Sequence, residues 1–265
     1  TSASGAQEAA DGVAPEEGSA LGMSVPVSLQ EALASKTQGA PTKAKDWMVA
    51  AAHPLAVEAG SAVLRDGGTA ADAMVAVQAV LGLVEPQSSG LGGGAFLVWY
   101  DASSGEVTTL DGRETAPLTA TPRLFQDENG ETLKFFEAVV GGRSVGVPGT
   151  PMLMQEAHRK WGRSQWPSLF DAAITHAEGG FTVTPRMAAS VARDAERLAS
   201  HPVTAAYFLP GGTPLAEGTQ LDNPDYAASL KMMAAEGAAP FYTGKIAADI
   251  VDAVQGANNP GVLSG

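Results

Sequence analysis

The residue whose chemistry stands out in this sequence is an arginine, Arg113, in the run DGRE between Asp111 and Glu114. It follows Glu106 to Leu110 (EVTTL), a segment typical of a β-strand. An arginine where a strand runs out into a glycine-flanked loop can bind a carboxylate through two parallel hydrogen bonds. The alternative is that Arg113 pairs with Asp111 or Glu114 in a surface network, and the residues alone leave both interpretations open.

The groups beside this arginine suggest support rather than proton transfer. We expect Asp111 and Glu114 to orient the guanidinium, and a general acid/base pair is the less favoured use. Upstream, the glycine cluster GLGGG (90–94) follows an apolar helical segment and precedes a strand. A dinucleotide-binding loop needs the reverse order, strand, glycine-rich turn and helix. The cluster is therefore interpreted as a place where the backbone approaches another strand or a ligand closely.

Other kinds of site have weaker support. None of the four histidines has a second His or Cys at ligand spacing, so no metal or other cofactor is predicted: His53, His158, His176 and His201. There is no G-x-S-x-G motif, and the serines in a glycine-rich setting, Ser88 and Ser89, have no histidine near them in sequence. Thr1 could serve as an N-terminal nucleophile, but its neighbours resemble a leader. The residues thus give one ligand-binding arginine and no complete catalytic set.

The composition limits the class of protein. The chain has 265 residues, 45% of them hydrophobic, which suits a globular protein of one large or two small domains. Its net charge of −13 argues against a nucleic-acid partner. The lack of cysteine excludes disulfides, thiolate catalysis and sulfur-ligated metal. No apolar run approaches the roughly 18 residues of a membrane span, so no membrane association is expected.

The first 45 residues differ from the rest of the chain. They are rich in Ala, Ser, Gly, Pro and Glu, and we expect a flexible leader in which Val27 to Ala34 can form a short helix. Residues 46–265 are expected to belong to one domain. Because the chain begins with Thr1 rather than methionine, we expect that it has been processed or trimmed, and a removed signal peptide would explain this.

The elements predicted along the chain are strands in the first half and helices in the second. The strands are Trp47–Ala52, the hairpin of Ala95–Tyr100 with Glu106–Leu110, and Phe135–Val140 with Ser144–Val147. The helices run from Pro54 to before Gly67, from the Thr69 cap to Val84, and over Pro151–Trp161, Pro167–Glu178, Pro185–Ala199, Pro224–Glu236 and Phe241–Val254. Thr69 and Asp72 have capping-box spacing. The predicted class is α+β, or a layered α/β fold with strands in pairs.

Several motifs, in this order, resemble the large subunit of bacterial γ-glutamyltranspeptidases, a family that also includes cephalosporin acylases and a capsule depolymerase. The motifs are HPLAVEAGSAVLRDGGTAADAMVAVQAVLGLVEP, GLGGGAF and DGRETAP, then VGVPGTPMLMQEAHRKWG, LFDAAITHAEGGFTVTP and FYTGKIAADIV. The resemblance covers about Met48 to Val254, most of the chain. The ordered pair of GLGGGAF and D-x-R-E-x-A-P is specific, whereas either motif alone would be weak.

The resemblance implies an N-terminal-nucleophile hydrolase fold, an αββα sandwich in which this chain is the large-subunit portion. Precursors of this kind cleave themselves, and the new N-terminal threonine of the small subunit becomes the nucleophile, with its α-amine as the base. The resemblance assigns Arg113 to the α-carboxylate of the γ-glutamyl group and Glu114 to holding the arginine in place. No catalytic residue is expected in this chain itself.

The implied function is γ-glutamyl transfer or hydrolysis on glutathione-like donors, by a periplasmic or secreted enzyme. The Thr-, Ser- and His-rich segment that carries the nucleophile in the family has no counterpart here, so a small subunit from the same precursor must supply it. Within the family, a glutaryl (cephalosporin) acylase or a poly-γ-glutamate hydrolase or transferase is the alternative. A non-catalytic binding or scaffold subunit is the alternative from another class.

Overall fold

The computed structural model describes residues 27–265, so most of the expected leader lies outside the described residues. The helices are α1 (Val27–Thr37), α2 (Pro54–Arg65), α3 (Ala70–Val84), α4 (Phe135–Val139), α5 (Thr150–Trp161), α6 (Asp171–Gly179), α7 (Pro185–Ala199), α8 (Pro202–Phe208), α9 (Pro224–Glu236), α10 (Pro240–Thr243) and α11 (Lys245–Gln255). Short 3₁₀ turns lie at Trp166–Phe170 and Pro210–Gly212. The strands are β1 (Ala95–Asp101), β2 (Glu106–Gly112), β3 (Phe181–Thr182) and β4 (Gln220–Leu221).

The α2–α3 helical pair begins and ends where the sequence predicts. His53 caps α2 by accepting a hydrogen bond from the Leu55 amide at Nδ1, 3.2 Å away, and Pro54 occupies the first helical position. The capping box at the start of α3 is confirmed in both directions. The Thr69 amide donates to Asp72 Oδ2 at 2.8 Å, and the Asp72 amide donates to Thr69 Oγ1 at 3.2 Å.

Helix α3 lies at the centre of the hydrophobic core. It packs against α2, α5, α6 and the 166–170 turn, and its residues are buried or half-buried almost all round, as its sequence predicts. The largest side chains of the core come from the second half of the chain: Met154, Phe170, Phe181, Met187, Leu230 and Met233. The first half thus supplies an apolar helix, and the second half surrounds it.

The predicted hairpin is confirmed. Strands β1 and β2 pair antiparallel, with Ala95 opposite Gly112 and Asp101 opposite Glu106. On its inner face, Trp99 stacks on Trp161 of α5, with ring centroids 4.7 Å apart. The outer face leaves four large apolar side chains exposed within this chain: Phe96, Val98, Tyr100 and Val107.

Three of the predicted strands are wrong. Trp47–Ala52 has no backbone ladder with any strand of the described part of the chain. Phe135–Val139 is helical instead, because Glu137 accepts from the Lys134 amide and closes a local turn. In place of a strand at 144–147, only Val147 bridges to another segment, at Thr115.

The second half also departs from prediction in detail. The helix expected at Phe241–Val254 divides into α10 and α11 at Gly244. A Cβ on Gly244 would lie 3.0 Å from the Pro240 Cα, so the glycine permits the close turn between the two helices. The short β3–β4 pair and helix α8 were not predicted.

Candidate functional site

The backbone of Arg113 leaves strand β2 in a fixed direction. Its amide donates to Asp111 Oδ1 at 2.9 Å, a local side-chain turn that directs the chain out of the hairpin. The Arg113 side chain is 70% exposed, and its Nε lies 3.7 Å from Glu114 Oε2. The contact with Glu114 is expected whether Arg113 binds a ligand or pairs with its neighbours on the surface. Asp111 binds the main-chain amide of Arg113 and not its guanidinium. Most of the guanidinium is open to a ligand.

The glycine cluster packs directly against this arginine. A Cβ on Gly94 would lie 2.6 Å from Glu114 Oε2 and 2.9 Å from the Arg113 Cα. The carbonyl of Gly93 accepts from the amides of Gly149 and Thr150 at 2.9 and 3.1 Å, and from Thr150 Oγ1 at 3.1 Å. The close backbone approach predicted for this cluster is therefore present, and its neighbours are the arginine and the start of α5.

The loop before α5, residues 146–149, supports the other side of the arginine. The Val147 amide donates to the Thr115 carbonyl at 2.9 Å. Side chains at Gly146 and Gly149 would overlap this backbone: a Cβ on Gly146 would lie 2.7 Å from the Thr115 carbonyl oxygen, and one on Gly149 would collide with the Gly112 carbonyl. Sequence reasoning placed the start of a helix in the motif VGVPGT but gave the motif no role at the site, although two glycines and a proline within four residues mark a close backbone approach.

Arg113 also lies at the edge of a cavity of about 300 Å³. The walls are mainly apolar, with Val147, Pro148, Met152 and Leu153 on one side and Tyr242 on another. Glu156 is at its rim, where bonds from Arg159 at 2.7 Å hold the pKa of its carboxyl at about 2. Arg159 and Lys160 form ion pairs with Glu156. Arg113 lies farther from its nearest carboxylate, Glu114, than Arg159 and Lys160 lie from Glu156, so its charge is less closely paired.

The histidines do not gather into a metal site. Within residues 27–265, no group of three His, Cys, Asp or Glu residues could hold a metal ion. His158 lies against Asp72 and the Ser164 carbonyl, at 3.5 and 2.9 Å from its Nε2. Burial lowers the pKa of His176.

The two candidate serines are engaged in hydrogen bonds to other side chains. Arg186 Nη2 donates to Ser88 Oγ at 3.2 Å, and Gln78 Nε2 donates to Ser89 Oγ at 3.0 Å. Neither contact involves a base that could take a proton from the hydroxyl. Thr1, the other nucleophile considered, lies outside the described residues.

Sequence reasoning missed a buried ion pair next to these serines. Glu85, fully buried, lies 2.7 Å from Arg186 Nη1 and accepts from Gln87 Nε2 at 2.9 Å. His53, also fully buried, has its pKa lowered to about 4 by desolvation and by the charges of His176 and Arg186. The signal was a single glutamate at the end of an otherwise apolar helix, a residue that is rarely buried without a partner.

No helix in the described part of the chain is long and apolar enough to cross a membrane.

Comparison with known proteins decides the family. The family model for gamma-glutamyltranspeptidase matches residues 56–264, most of the chain. The chain belongs to the γ-glutamyltranspeptidase family. The predicted family is thereby confirmed, and with it the fold class, an α+β fold of the N-terminal-nucleophile hydrolase type.

Individual members of the γ-glutamyltranspeptidase family support this assignment. The glutathione hydrolase proenzyme of Bacillus subtilis (strain 168) is 44% identical over 80% of this chain, which spans 36% of that relative. The acylase ACY 1 proenzyme of Pseudomonas sp. (strain V22) is 37% identical over 87% of this chain and 42% of its own length. The crystal structure of Helicobacter pylori gamma-glutamyltranspeptidase superposes with a TM-score of 0.80 and 33% identity, over 84% of this chain and 63% of that one. The chain therefore spans about two fifths or less of the length of the Bacillus and Pseudomonas proenzymes.

Proposed function

We propose that this chain is the large-subunit portion of a γ-glutamyltransferase or hydrolase that acts on glutathione-like donors. In this proposal Arg113 binds the α-carboxylate of the γ-glutamyl group, and Glu114 orients the guanidinium. The observation that carries the proposal is a guanidinium 70% exposed on a backbone fixed from both sides. Such a side chain can accept an anion without moving the main chain that presents it.

The chemistry of Arg113 suits a carboxylate in particular. A planar guanidinium offers two parallel N–H donors that match the two oxygens of a carboxylate. Glu114, 3.7 Å from Nε, holds the planar group in place while leaving donors for the ligand. A donor with a free α-carboxylate would therefore be held at one end, with its γ-carbonyl fixed relative to the hairpin.

The nucleophile is proposed to reside in a second chain of the same precursor. The relatives from Bacillus and Pseudomonas are named proenzymes, and this chain matches only part of each. In the proposed reaction, the hydroxyl of an N-terminal threonine attacks the γ-carbonyl while its own α-amine takes the proton. The proton then passes to the departing amine, and water or an acceptor amine cleaves the resulting ester.

Two features of the first half of the chain support a partner chain. The outer face of the hairpin exposes Phe96, Val98 and Tyr100, side chains that usually become buried in an assembled protein. Trp47–Ala52, predicted as a strand, has no ladder partner in the described part of the chain. A segment with free backbone donors and acceptors can pair with a strand of another chain.

We further propose that the assembled protein is periplasmic or secreted.

An acylase is the second candidate, since the Pseudomonas relative is named an acylase. A glutaryl group also ends in a carboxylate, so Arg113 would bind either acyl group. Glutaryl and γ-glutamyl anilides differ only in the α-amino group, and their kcat/KM values separate the candidates directly. A higher kcat/KM for the γ-glutamyl anilide supports the transferase or hydrolase, and a higher value for the glutaryl anilide supports the acylase.

Substitution Arg113→Lys tests the carboxylate assignment. We expect the fold to persist and KM for a γ-glutamyl anilide to rise. The rise should correspond to a loss of about 1.5–3 kcal/mol of binding free energy, the contribution of a charge-assisted hydrogen bond. Arg123→Lys is the matched control, because Arg123 is exposed beyond the hairpin and does not line the cavity. An unchanged KM in the Arg113 variant would contradict the assignment.

Mass spectrometry of the purified protein separates the enzyme from a scaffold. A second polypeptide that starts with threonine supports the two-chain enzyme. A lone chain of 26.9 kDa without hydrolase activity supports a non-catalytic binding subunit.

A further inference from the structure

Helix α5 begins with a residue that cannot cap it. The N-cap is Gly149, which makes no side-chain hydrogen bond to the first turn. Any side chain there would overlap the Gly112 carbonyl and approach the Arg113 carbonyl oxygen to 2.9 Å. The close contact with the arginine segment therefore removes the usual cap, and the first amides of α5 need an acceptor from elsewhere.

The Gly93 carbonyl accepts from the Thr150 amide, and Tyr242, from helix α10, supplies the acceptor for the Met152 amide. Its hydroxyl accepts a hydrogen bond from the Met152 amide at 3.2 Å and donates one to the Pro148 carbonyl at 2.7 Å. One oxygen thus joins the first turn of α5 to the loop that precedes it. Burial raises the pKa of Tyr242, so the hydroxyl keeps the proton that it donates.

The loop held by Tyr242 is in turn bonded to the backbone around Arg113. The Val147 amide donates to the Thr115 carbonyl at 2.9 Å, on the C-terminal side of the arginine. The Gly149 amide donates to the Gly93 carbonyl at 2.9 Å, and Gly94 packs on the Arg113 Cα. A shift of the 147–149 loop would therefore move the main chain on both sides of the guanidinium.

We propose that Tyr242 is a positioning residue for Arg113, acting through Pro148 and the 146–149 loop rather than by touching the donor. This inference rests on the proposed function of Arg113 as the carboxylate-binding residue. The phenol bonds to main-chain atoms, and its donor and acceptor are both used there. Its role is to fix the place from which the guanidinium reaches the donor, an effect that should show in donor binding more than in the chemical step.

The test is Tyr242→Phe in the processed two-chain protein, assayed with two donors. One is a γ-glutamyl anilide with a free α-carboxylate, and the other is the same anilide with that group as a methyl ester. For the free acid we expect KM to rise about three- to tenfold, while kcat stays within about twofold of the wild-type value. A KM rise of this size corresponds to the free energy that one hydrogen bond contributes. The ester gives Arg113 no anion to bind, so its KM should not change.

Tyr226→Phe is the matched control. Tyr226 also donates its buried hydroxyl to a main-chain carbonyl, that of Ala79 at 2.9 Å, but it joins α9 to α3 and does not line the cavity at Arg113. This variant should leave KM unchanged for both donors. A KM increase of equal size in both tyrosine variants would show a general packing effect and overturn the proposal.

The remaining outcomes separate this inference from the function on which it rests. If wild type and Arg113→Lys treat the free acid and the ester alike, the proposed function fails, and the inference fails with it. If Arg113→Lys loses free-acid binding and Tyr242→Phe does not, only the role of Tyr242 is overturned. A KM rise for both donors in Tyr242→Phe also overturns it, since positioning of Arg113 predicts a selective effect.

Hydrogen exchange keeps the proposal testable if Tyr242→Phe does not fold. On saturating wild type with glutamate, we expect amides in 111–115 and in 147–152 to gain protection together, because the two segments are bonded. Protection confined to 111–115 would overturn the coupling through the loop.

Discussion

Two regions differ in whether contacts within the described chain cover their side chains. One is the joint between helices α2 and α3, and the other is the β1–β2 hairpin. At the joint, Asp72 is fully buried and accepts hydrogen bonds from the amides of Thr69, Arg163 and Ser164 at 2.8 to 3.2 Å. At the hairpin, Phe96 and Val98 on the outer face are 67% and 72% exposed. The joint is stabilised by contacts within one chain, whereas the hairpin leaves an apolar face uncovered beside the proposed ligand arginine.

The largest effect on stability should come from breaking the joint. Asp72→Ala would leave three amides without their acceptor in a buried site, and we expect the free energy of unfolding to fall by about 3–5 kcal/mol. Chemical denaturation followed by circular dichroism measures this. Asp66→Ala, at an exposed aspartate just after α2, is the control and should change stability by less than about 0.5 kcal/mol. Equal losses in the two variants would contradict the account of the joint.

A pH effect of intermediate size sharpens the comparison, because it arises in the buried core. The pKa of His53 is lowered from 6.5 to about 4, so between these values the unfolded chain binds a proton that the folded chain does not. The free energy of unfolding should therefore be highest above pH 6.5 and fall by roughly 2–3 kcal/mol as the pH decreases to about 4.

His53→Asn isolates this contribution. Asparagine retains a side-chain acceptor for the start of α2 and does not titrate. Asp72, whose pKa is lowered by its backbone hydrogen bonds, loses its own contribution only below the ordinary range of a carboxyl, so it does not account for a change above about pH 4. An unaltered pH slope in His53→Asn would show that His53 is not the group responsible.

The smallest effect on folding should come from the hairpin face. Phe96→Ser should change the thermal unfolding of this chain by less than the equivalent of about 0.5 kcal/mol, because the side chain is already exposed. It should nevertheless reduce recovery of the second polypeptide on co-purification, since an exposed aromatic in a partner interface contributes strongly to binding. Val203→Ser, at an equally exposed residue of α8, should leave recovery unchanged. Normal recovery with Phe96→Ser would remove the hairpin face from the proposed interface.

The separation in sequence between contacting residues explains what the sequence could predict. Local signals sufficed where the contacting residues are close in sequence: the Thr69–Asp72 capping box, the β1–β2 hairpin and most long helices all follow from neighbouring residues. The strand predicted at Trp47–Ala52 failed because an apolar run indicates a strand without saying whether a partner is present. Arg113 was identified as a candidate from its place in a glycine-flanked loop after a strand, and the ordered motifs assigned its ligand. The tyrosine that supports its loop could not be inferred, because the Tyr242–Pro148 bond joins residues 94 positions apart.

The most direct test of the central claim is an experimental structure of the purified protein with glutamate bound. If Arg113 holds the α-carboxylate, the two carboxylate oxygens should lie about 2.7–3.2 Å from its guanidinium nitrogens, with the γ-carboxyl directed towards the threonine of the proposed second chain. Glutamate bound elsewhere, with Arg113 still facing Glu114 alone, would contradict the claim.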